Sequence, residues 1–226
     1  MSVAPITGAH MGRVDPHFGD AYTSSVVLAD DFAARDDEPK EDHFVCLHGV
    51  SWSDYERFLK VRGDRSLPRL AYEQGVLELM SPSQRHEELS RWIGYLVLVW
   101  CEQHEVPFST SGSWTLKSKR KKTGVEPDDG FRFGDPPHPK RPDVIVEVIW
   151  TSGGIDKHEL YRRFGVPEIW FWRRGRISVH ALGPRGYKEV PRSRVLPGID
   201  LDQLVSFLDR PTTSQATREY RAALRK

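Results

Sequence analysis

The sequence predicts a mixed α/β fold in which helices flank a central mixed β-sheet, and three observations lead to this prediction. Residues 144–150 form a nearly continuous β-branched run, which is typical of a central strand buried on both faces. Residues 85–104 carry their apolar side chains on one broad helical stripe, which predicts a helix that packs on a sheet. The order of helices and strands along the chain fits a mixed sheet with helices around it.

The first half of the chain divides into a predicted tail and an elaboration of the core. Residues 1–42 are rich in Gly, Pro, Ala and Asp without a sustained period, so we predict a flexible N-terminal tail. A short strand is predicted at 44–47, and Ser51 with Asp54 forms the capping box of a following helix. The apolar runs on either side of the turn in 69–80 predict a β-hairpin.

The second half continues the predicted core to residue 210. A turn and a helix that ends at Gly165 follow the central strand. The elements predicted after it are strands at 168–172, 176–180 and 186–190, a helix at 201–208 and a charged C-terminal helix. We therefore divide the chain into the tail 1–42, a domain at 43–210 and a C-terminal helical tail at 211–226.

Composition narrows the class of protein. Lys and Arg number 33 and Asp and Glu 32, which argues against a purely electrostatic coat for nucleic acid. Seven Trp indicate a folded body, and Cys46 and Cys101 have no spacing typical of a disulfide framework or zinc site. No signal peptide is recognisable, and the apolar run 95–101 is too short to span a bilayer. We therefore expect a cytoplasmic protein without a membrane partner.

Glu147 is the first candidate for chemistry, because it is the only charge inside the β-branched run. Burial of an unpaired carboxylate costs on the order of several kcal/mol, even after the protein around it has relaxed. A cation must therefore lie beside Glu147. A neighbouring Lys or Arg in a buried ion pair would satisfy this need. A metal ion in a catalytic site would also satisfy it, and we favour this second interpretation because buried strand carboxylates cluster at functional sites.

Two further residues are candidates for the same site. Asp128 opens a predicted strand that could lie beside the Glu147 strand, and two carboxylates from adjacent strands suit a hard divalent ion. Taken alone, the Pro127-Asp128 dipeptide is equally typical of a turn. Lys157 shares a helical face with Tyr161, and this face should pack back on the sheet. A lysine in the first turn is unfavourable against the helix dipole, which suggests an acidic or phosphate partner.

Seven short motifs occur in an order that resembles one family. They are Tyr72-Glu73-x-Gly75, Leu79-Met-Ser-Pro82, His86-Glu87, Glu126-Pro-Asp128, Val146-Glu147-Val148, Lys157-x3-Tyr161 and Gly165-Val-Pro-Glu-Ile-Trp170. Together they are similar to the Uma family of putative restriction endonucleases within the PD-(D/E)XK nuclease superfamily. The resemblance covers roughly residues 44–208.

The resemblance implies a restriction-endonuclease-like fold and a nuclease site that uses Mg²⁺ (or Mn²⁺). Asp128 and Glu147 take the places of the two metal-binding acids. The superfamily's lysine usually stands two residues after the second acid, where this chain has Ile149. Lys157 matches the migrated lysine that the family commonly carries on the next helix. His86 is a further catalytic candidate as an outer ligand or proton carrier, although it also fits an ordinary polar residue at a helix start.

A basic segment is the candidate contact with DNA, the implied substrate. Its five cationic residues are Lys117, Lys119, Arg120, Lys121 and Lys122. Such a segment suits a phosphate backbone, and it equally suits a solubilising loop. The resemblance leaves a homodimer open. It also leaves an alternative in which the fold has lost activity and binds nucleic acid or a protein partner.

Overall fold

The computed structural model describes residues 41–149 and 154–225, so the predicted tail lies almost wholly outside the described residues. The strands are β1 (His43–His48), β2 (Arg69–Glu73), β3 (Val76–Ser81), β4 (Phe108–Thr110), β5 (Leu116–Ser118), β6 (Thr123–Val125), β7 (Asp129–Phe133), β8 (Val144–Val148), β9 (Glu168–Arg173), β10 (Arg176–Gly183) and β11 (Gly186–Val190). The helices are α1 (Trp52–Arg62), α2 (Gln84–Gln103), α3 (Lys157–Phe164), α4 (Leu201–Val205) and α5 (Thr213–Ala223).

The first sheet is antiparallel, with strand order β1-β3-β2-β6-β5. Its centre is the predicted hairpin, in which β2 and β3 join through Gln74 and Gly75, both with positive φ. The basic segment is also part of this sheet, because Lys117 lies in β5 and the other four basic residues, 119–122, form the turn that leads into β6. The N-terminal elaboration is therefore larger than the predicted hairpin and helix.

The second sheet is mixed, with strand order β11-β10-β9-β8-β7-β4. Its one parallel pair is β8 with β9, and the chain crosses between them through α3. Strand β8 lies between β7 and β9, as its β-branched composition predicted.

The two faces of β8 belong to two different cores. Val144, Val146 and Val148 pack with α2 and the C-terminal helices, as the strand period predicted. Ile145 faces the other way, into a core shared with α3 and with Ala71 of the first sheet. Glu147 is on this second face, and so it lies where the two sheets and α3 meet.

The helices start at the polar residues that the sequence indicated. Ser51 and Asp54 form a complete capping box at α1. Helix α2 packs on the second sheet, as predicted, and its N-cap is Ser83. Helix α5 is more than a tail, because Ala216 and Tyr220 are buried in the core that α2 helps to form.

The ordered fold begins before the predicted boundary at residue 43. Asp42 is buried and accepts a hydrogen bond from the backbone N–H of Ser83 at 2.9 Å. It therefore belongs to the folded core rather than to the predicted tail. None of the helices within 41–149 and 154–225 has the length and apolar character needed to cross a membrane.

Candidate active site

Glu147 lies on the inner face of β8 and is only 4% exposed. One carboxylate oxygen, Oε2, lies 3.5 Å from Nζ of Lys157, and the other accepts a hydrogen bond from the Tyr161 hydroxyl. Lys157 and Tyr161 are one turn apart on α3, as their spacing predicted. The cation that the sequence required beside Glu147 is therefore Lys157.

Asp128 immediately precedes β7 and continues the register of the β7–β8 pair. Because Asp129 is opposite Val146, the next position of this antiparallel ladder places Asp128 opposite Glu147. The Asp128 Oδ2 atom accepts a hydrogen bond from the backbone N–H of Val148 at 2.7 Å, and Oδ1 accepts one from Arg69 Nη1 at 2.7 Å. The two acids are thus brought together by neighbouring strands.

His86 is buried between two aspartates at the start of α2. Its Nδ1 atom lies 2.9 Å from Asp42 Oδ2, and its Nε2 atom lies 2.9 Å from Asp128 Oδ2. The second contact is an electrostatic one without hydrogen-bond alignment. Ser83 fixes the backbone of His86 as the N-cap of the same helix. His86 therefore acts on Asp128 rather than on Glu147.

The surroundings shift the pKa values of Asp128 and Glu147 in opposite directions. Burial alone would raise the pKa of the Asp128 carboxyl, but the positive charges of Arg69, His86 and Lys157 hold it well below its usual range. Burial raises the pKa of Glu147 to about 7, which the charge of Lys157 offsets only in part and the negative charge of Asp128 increases. Asp128 is therefore ionised at neutral pH, whereas Glu147 exchanges its proton near pH 7.

The cations of the site remain charged despite their burial. Burial alone would lower the pKa of His86, but Asp128 and Asp42 raise it to about 9. Burial would likewise lower the pKa of Lys157, and the negative charges of Glu147, Asp128 and Glu78 raise it instead. Both side chains are therefore positively charged at neutral pH.

Two cavities meet this cluster from different directions. A cavity of about 350 Å³ is lined by His86, Glu147 and Lys157, with Glu78 and Asp42 at its walls. Asp128 instead lines a smaller cavity of about 180 Å³, together with Arg69, Glu87 and Asp129. The sequence predicted one shared pocket for the three residues. In the structure Glu147 and Lys157 line the larger cavity, whereas Asp128 lines the smaller one.

One comparison with known proteins assigns the family. The sequence model described as "Uma2: Putative restriction endonuclease" matches residues 52–208 of the chain. The protein belongs to the Uma2 family. Its two sheets and five helices, counted over the described residues, are consistent with a restriction-endonuclease-like fold. No curated protein matches the sequence.

The Uma2 match places the acids in a nuclease context but gives no direct sign of a metal. Within the described ranges, no group of three or more His, Cys, Asp or Glu side chains is arranged to hold an ion. The donor chemistry nevertheless fits Mg²⁺ or Mn²⁺, because these hard ions bind through one or two carboxylates and complete their shell with water and substrate oxygens. Asp128 and Glu147 supply two such carboxylates from opposite positions of neighbouring strands.

The predicted DNA-binding residues lie at an exposed hairpin tip. Lys117 is in β5, and Lys119, Arg120, Lys121 and Lys122 form the turn before β6. The tip is fixed to the end of α3, because Lys121 Nζ donates to the Arg163 carbonyl and Arg163 donates to the Lys121 carbonyl. These five residues therefore belong to the surface rather than to the buried cluster.

Several members of the cluster were not predicted. Arg69 and Asp42 contact the site from segments that are distant in sequence, so only the fold brings them there. Glu78 had a readable signal, because it is the single charge in the apolar run of β3, just as Glu147 is in β8. The Glu78 carboxylate accepts the backbone N–H of Ile155 at 3.0 Å and so fixes the start of α3.

Proposed function

We propose that this Uma2 protein hydrolyses phosphodiester bonds in DNA with the help of a divalent metal ion, Mg²⁺ or Mn²⁺. The observation that carries the proposal is the convergence of two buried carboxylates from neighbouring strands with a lysine from the adjacent helix. Two carboxylates beside a fixed cation are groups that can hold a metal ion and stabilise the charge that develops in phosphoryl transfer to water.

Each residue has a distinct role in this proposal. Asp128 and Glu147 would hold the metal, which when bound supplies Lewis acidity toward a phosphate oxygen. Lys157 stabilises negative charge that develops on the phosphate, and its contact with Glu147 keeps the ammonium group in place. Tyr161 orients Glu147 by its hydrogen bond, and His86 orients Asp128.

A second candidate function rests on the same contacts. Every oxygen of Asp128 and Glu147 already has a protein partner, so the cluster is a closed ion-pair network without a metal. Such a network suits a protein with the nuclease fold that binds nucleic acid or a partner without cutting. Cleavage separates the two functions, because only the first requires hydrolysis.

The test is incubation of the purified protein with supercoiled plasmid in the presence of Mg²⁺, Mn²⁺ or EDTA. We expect nicked or linear product with metal and none with EDTA. Glu147→Gln should abolish the product, whereas Asp143→Asn is the matched control, because Asp143 stands at the far end of the same strand and binds Phe133 N and Arg141. Plasmid that stays intact under all metal conditions, while the protein still retards it in a gel, would favour the second function.

A further inference from the structure

Arg69 bridges two carboxylates at the edge of the site. Its Nη1 atom donates to Asp128 Oδ1 at 2.7 Å and its Nη2 atom donates to Glu87 Oε1 at 2.5 Å. The Arg69 side chain is almost wholly buried, whereas that of Glu87 is 27% exposed. The guanidinium therefore has one partner inside the site and a second partner toward the surface.

We propose that Arg69 is a built-in counter-ion that competes with the divalent metal for Asp128, and that Glu87 holds the guanidinium when the metal is bound. This inference rests on the proposed function, because it assumes that Asp128 is a metal ligand. It goes further by assigning to one residue the control of metal occupancy.

The argument starts from the two oxygens of Asp128. The Oδ2 atom is bound by the backbone N–H of Val148, which cannot leave without disturbing β8, and it also contacts His86. The Oδ1 atom has Arg69 as its hydrogen-bond donor among the described residues. A metal that binds Asp128 through Oδ1 therefore replaces Arg69 on that oxygen.

Electrostatics makes the two cations exclusive. A guanidinium and a divalent ion on one buried carboxylate oxygen would repel each other strongly, because the surroundings have a low dielectric constant. The side chain of Glu87 offers the displaced guanidinium a carboxylate that it already contacts. The exchange thus costs one hydrogen bond and leaves no buried cation unpaired.

The test measures Mn²⁺ binding by calorimetry, without DNA and without a cleavage assay. Arg69→Gln removes the competing charge and keeps an amide that can donate to Asp128. We expect it to bind Mn²⁺ about tenfold more tightly than the wild type, a typical size for coupling between two ligands. The matched control is Arg62→Gln, because Arg62 is a second arginine that pairs with a buried carboxylate, Glu126, and touches no proposed metal ligand. Its Mn²⁺ affinity should stay at the wild-type value.

For a second variant we expect a change in Mn²⁺ affinity of the opposite sign. Glu87→Gln removes the alternative partner, so the guanidinium depends more on Asp128 and Mn²⁺ affinity should fall several-fold. If Glu87 acts only through Arg69, this loss should vanish in the Arg69→Gln background. Because Glu87 is partly exposed, this variant keeps the inference testable even if Arg69→Gln does not fold.

The outcomes separate this inference from the function on which it rests. Tighter binding by Arg69→Gln together with weaker binding by Glu87→Gln supports a competing counter-ion. Unchanged or weaker binding by Arg69→Gln, beside a wild type that binds Mn²⁺, overturns the inference and leaves the nuclease proposal standing. Absence of Mn²⁺ binding in the wild type and in both variants overturns both. If Arg69→Gln does not fold, unchanged affinity in Glu87→Gln overturns the inference.

Discussion

Glu126 and Asp128 stand two residues apart, and each is a buried acid that pairs with an arginine, yet the two pairs differ in what surrounds them. Arg62 binds both oxygens of Glu126, at 2.5 and 2.6 Å, and the remaining contacts are the Leu70 backbone N–H and the Thr115 hydroxyl. All these donors join α1, β2 and the chain before β5 into one unit. The pair is a structural joint.

The Asp128 pair is surrounded by further charges instead. Arg69 shares its guanidinium with Glu87, and His86, Lys157 and Glu147 lie close enough to shift the pKa of their neighbours. A carboxylate saturated by one arginine and neutral donors holds a fold together. A carboxylate among several titratable groups has more than one favourable arrangement of protons, and such arrangements cluster at functional sites.

The largest expected effect is a loss of cleavage that distinguishes Asp128 from Glu126. Asp128→Asn keeps an oxygen for the Val148 N–H but removes a metal ligand, so plasmid cleavage should fall on the order of 10³-fold. Unfolding in denaturant should show only a modest loss of stability, since Arg69 retains Glu87. A variant that keeps full cleavage would show that Asp128 is a joint like Glu126.

Glu126→Gln should reverse this pattern. Removal of one partner from a buried ion pair leaves Arg62 uncompensated, so the free energy of unfolding should fall by about 3 kcal/mol. Cleavage per folded molecule should stay at the wild-type rate, measured at a temperature well below the transition. A matching loss of kcat in the folded protein would mean that the two pairs are not separate.

Lys157→Met tests the cation of the cluster. The ammonium group is proposed to act on the reacting phosphate, so kcat should fall on the order of 10²-fold. Mn²⁺ affinity should change less, because Lys157 does not hold the metal. Calorimetry and single-turnover cleavage measure the two quantities separately, and a larger loss of affinity than of rate would contradict the role assigned to Lys157.

Glu147→Gln should change how stability depends on pH. The pKa of Glu147 is raised to about 7 from an ordinary value of 4.5, so the folded protein holds a proton that the unfolded chain has lost. Stability should therefore fall as pH rises from about 4.5 to 7 and then level off. The variant lacks this group and should lose less stability over that window, by on the order of 2 kcal/mol. If the free energy of unfolding depends on pH in the same way in the variant and the wild type, the raised pKa of Glu147 is excluded.

The basic hairpin tip should give the smallest effect, because it is outside both buried pairs. If its five cationic residues contact phosphates, their replacement by Gln should weaken DNA binding. The slope of log K against the logarithm of salt concentration should become less negative by about 0.9 per lost phosphate contact. Replacement by Arg at the four lysines keeps the charge and is the control. An unchanged slope after the Gln replacements would assign the tip to solvation alone.

The parts of the site predicted from sequence are those whose pattern is local. Glu147 interrupts an apolar strand, and Lys157 follows a helical period with Tyr161, so each is visible within a few residues. The central strand and the α2 helix were predictable for the same reason. They follow periods of two and 3.6 residues, which the sequence displays directly.

The rest depends on contacts between distant segments. Arg69 and Asp128 are 59 residues apart, and their contact exists only because β2 and β7 belong to two sheets that share a core. Asp42 and His86 are 44 residues apart, and Asp42 ends a segment that shows no sustained helical or strand period. No short-range period in the sequence predicts such contacts, because they form only when the two sheets pack together.

The contact between Glu78 and Ile155 makes the Ile155 backbone N–H a reporter of the junction between β3 and the segment before α3. This N–H is bonded to a side chain of the first sheet, and α3, which begins two residues later, packs in a core that both sheets share. Exchange of its hydrogen with heavy water therefore requires that the sheets separate or that the start of α3 detaches. Gly154 makes the junction tight, because a methyl group there would fall 1.5 Å from Glu78 Oε2. The protection of this single amide thus measures how often the segment before α3 detaches from the first sheet, alone or together with a separation of the sheets.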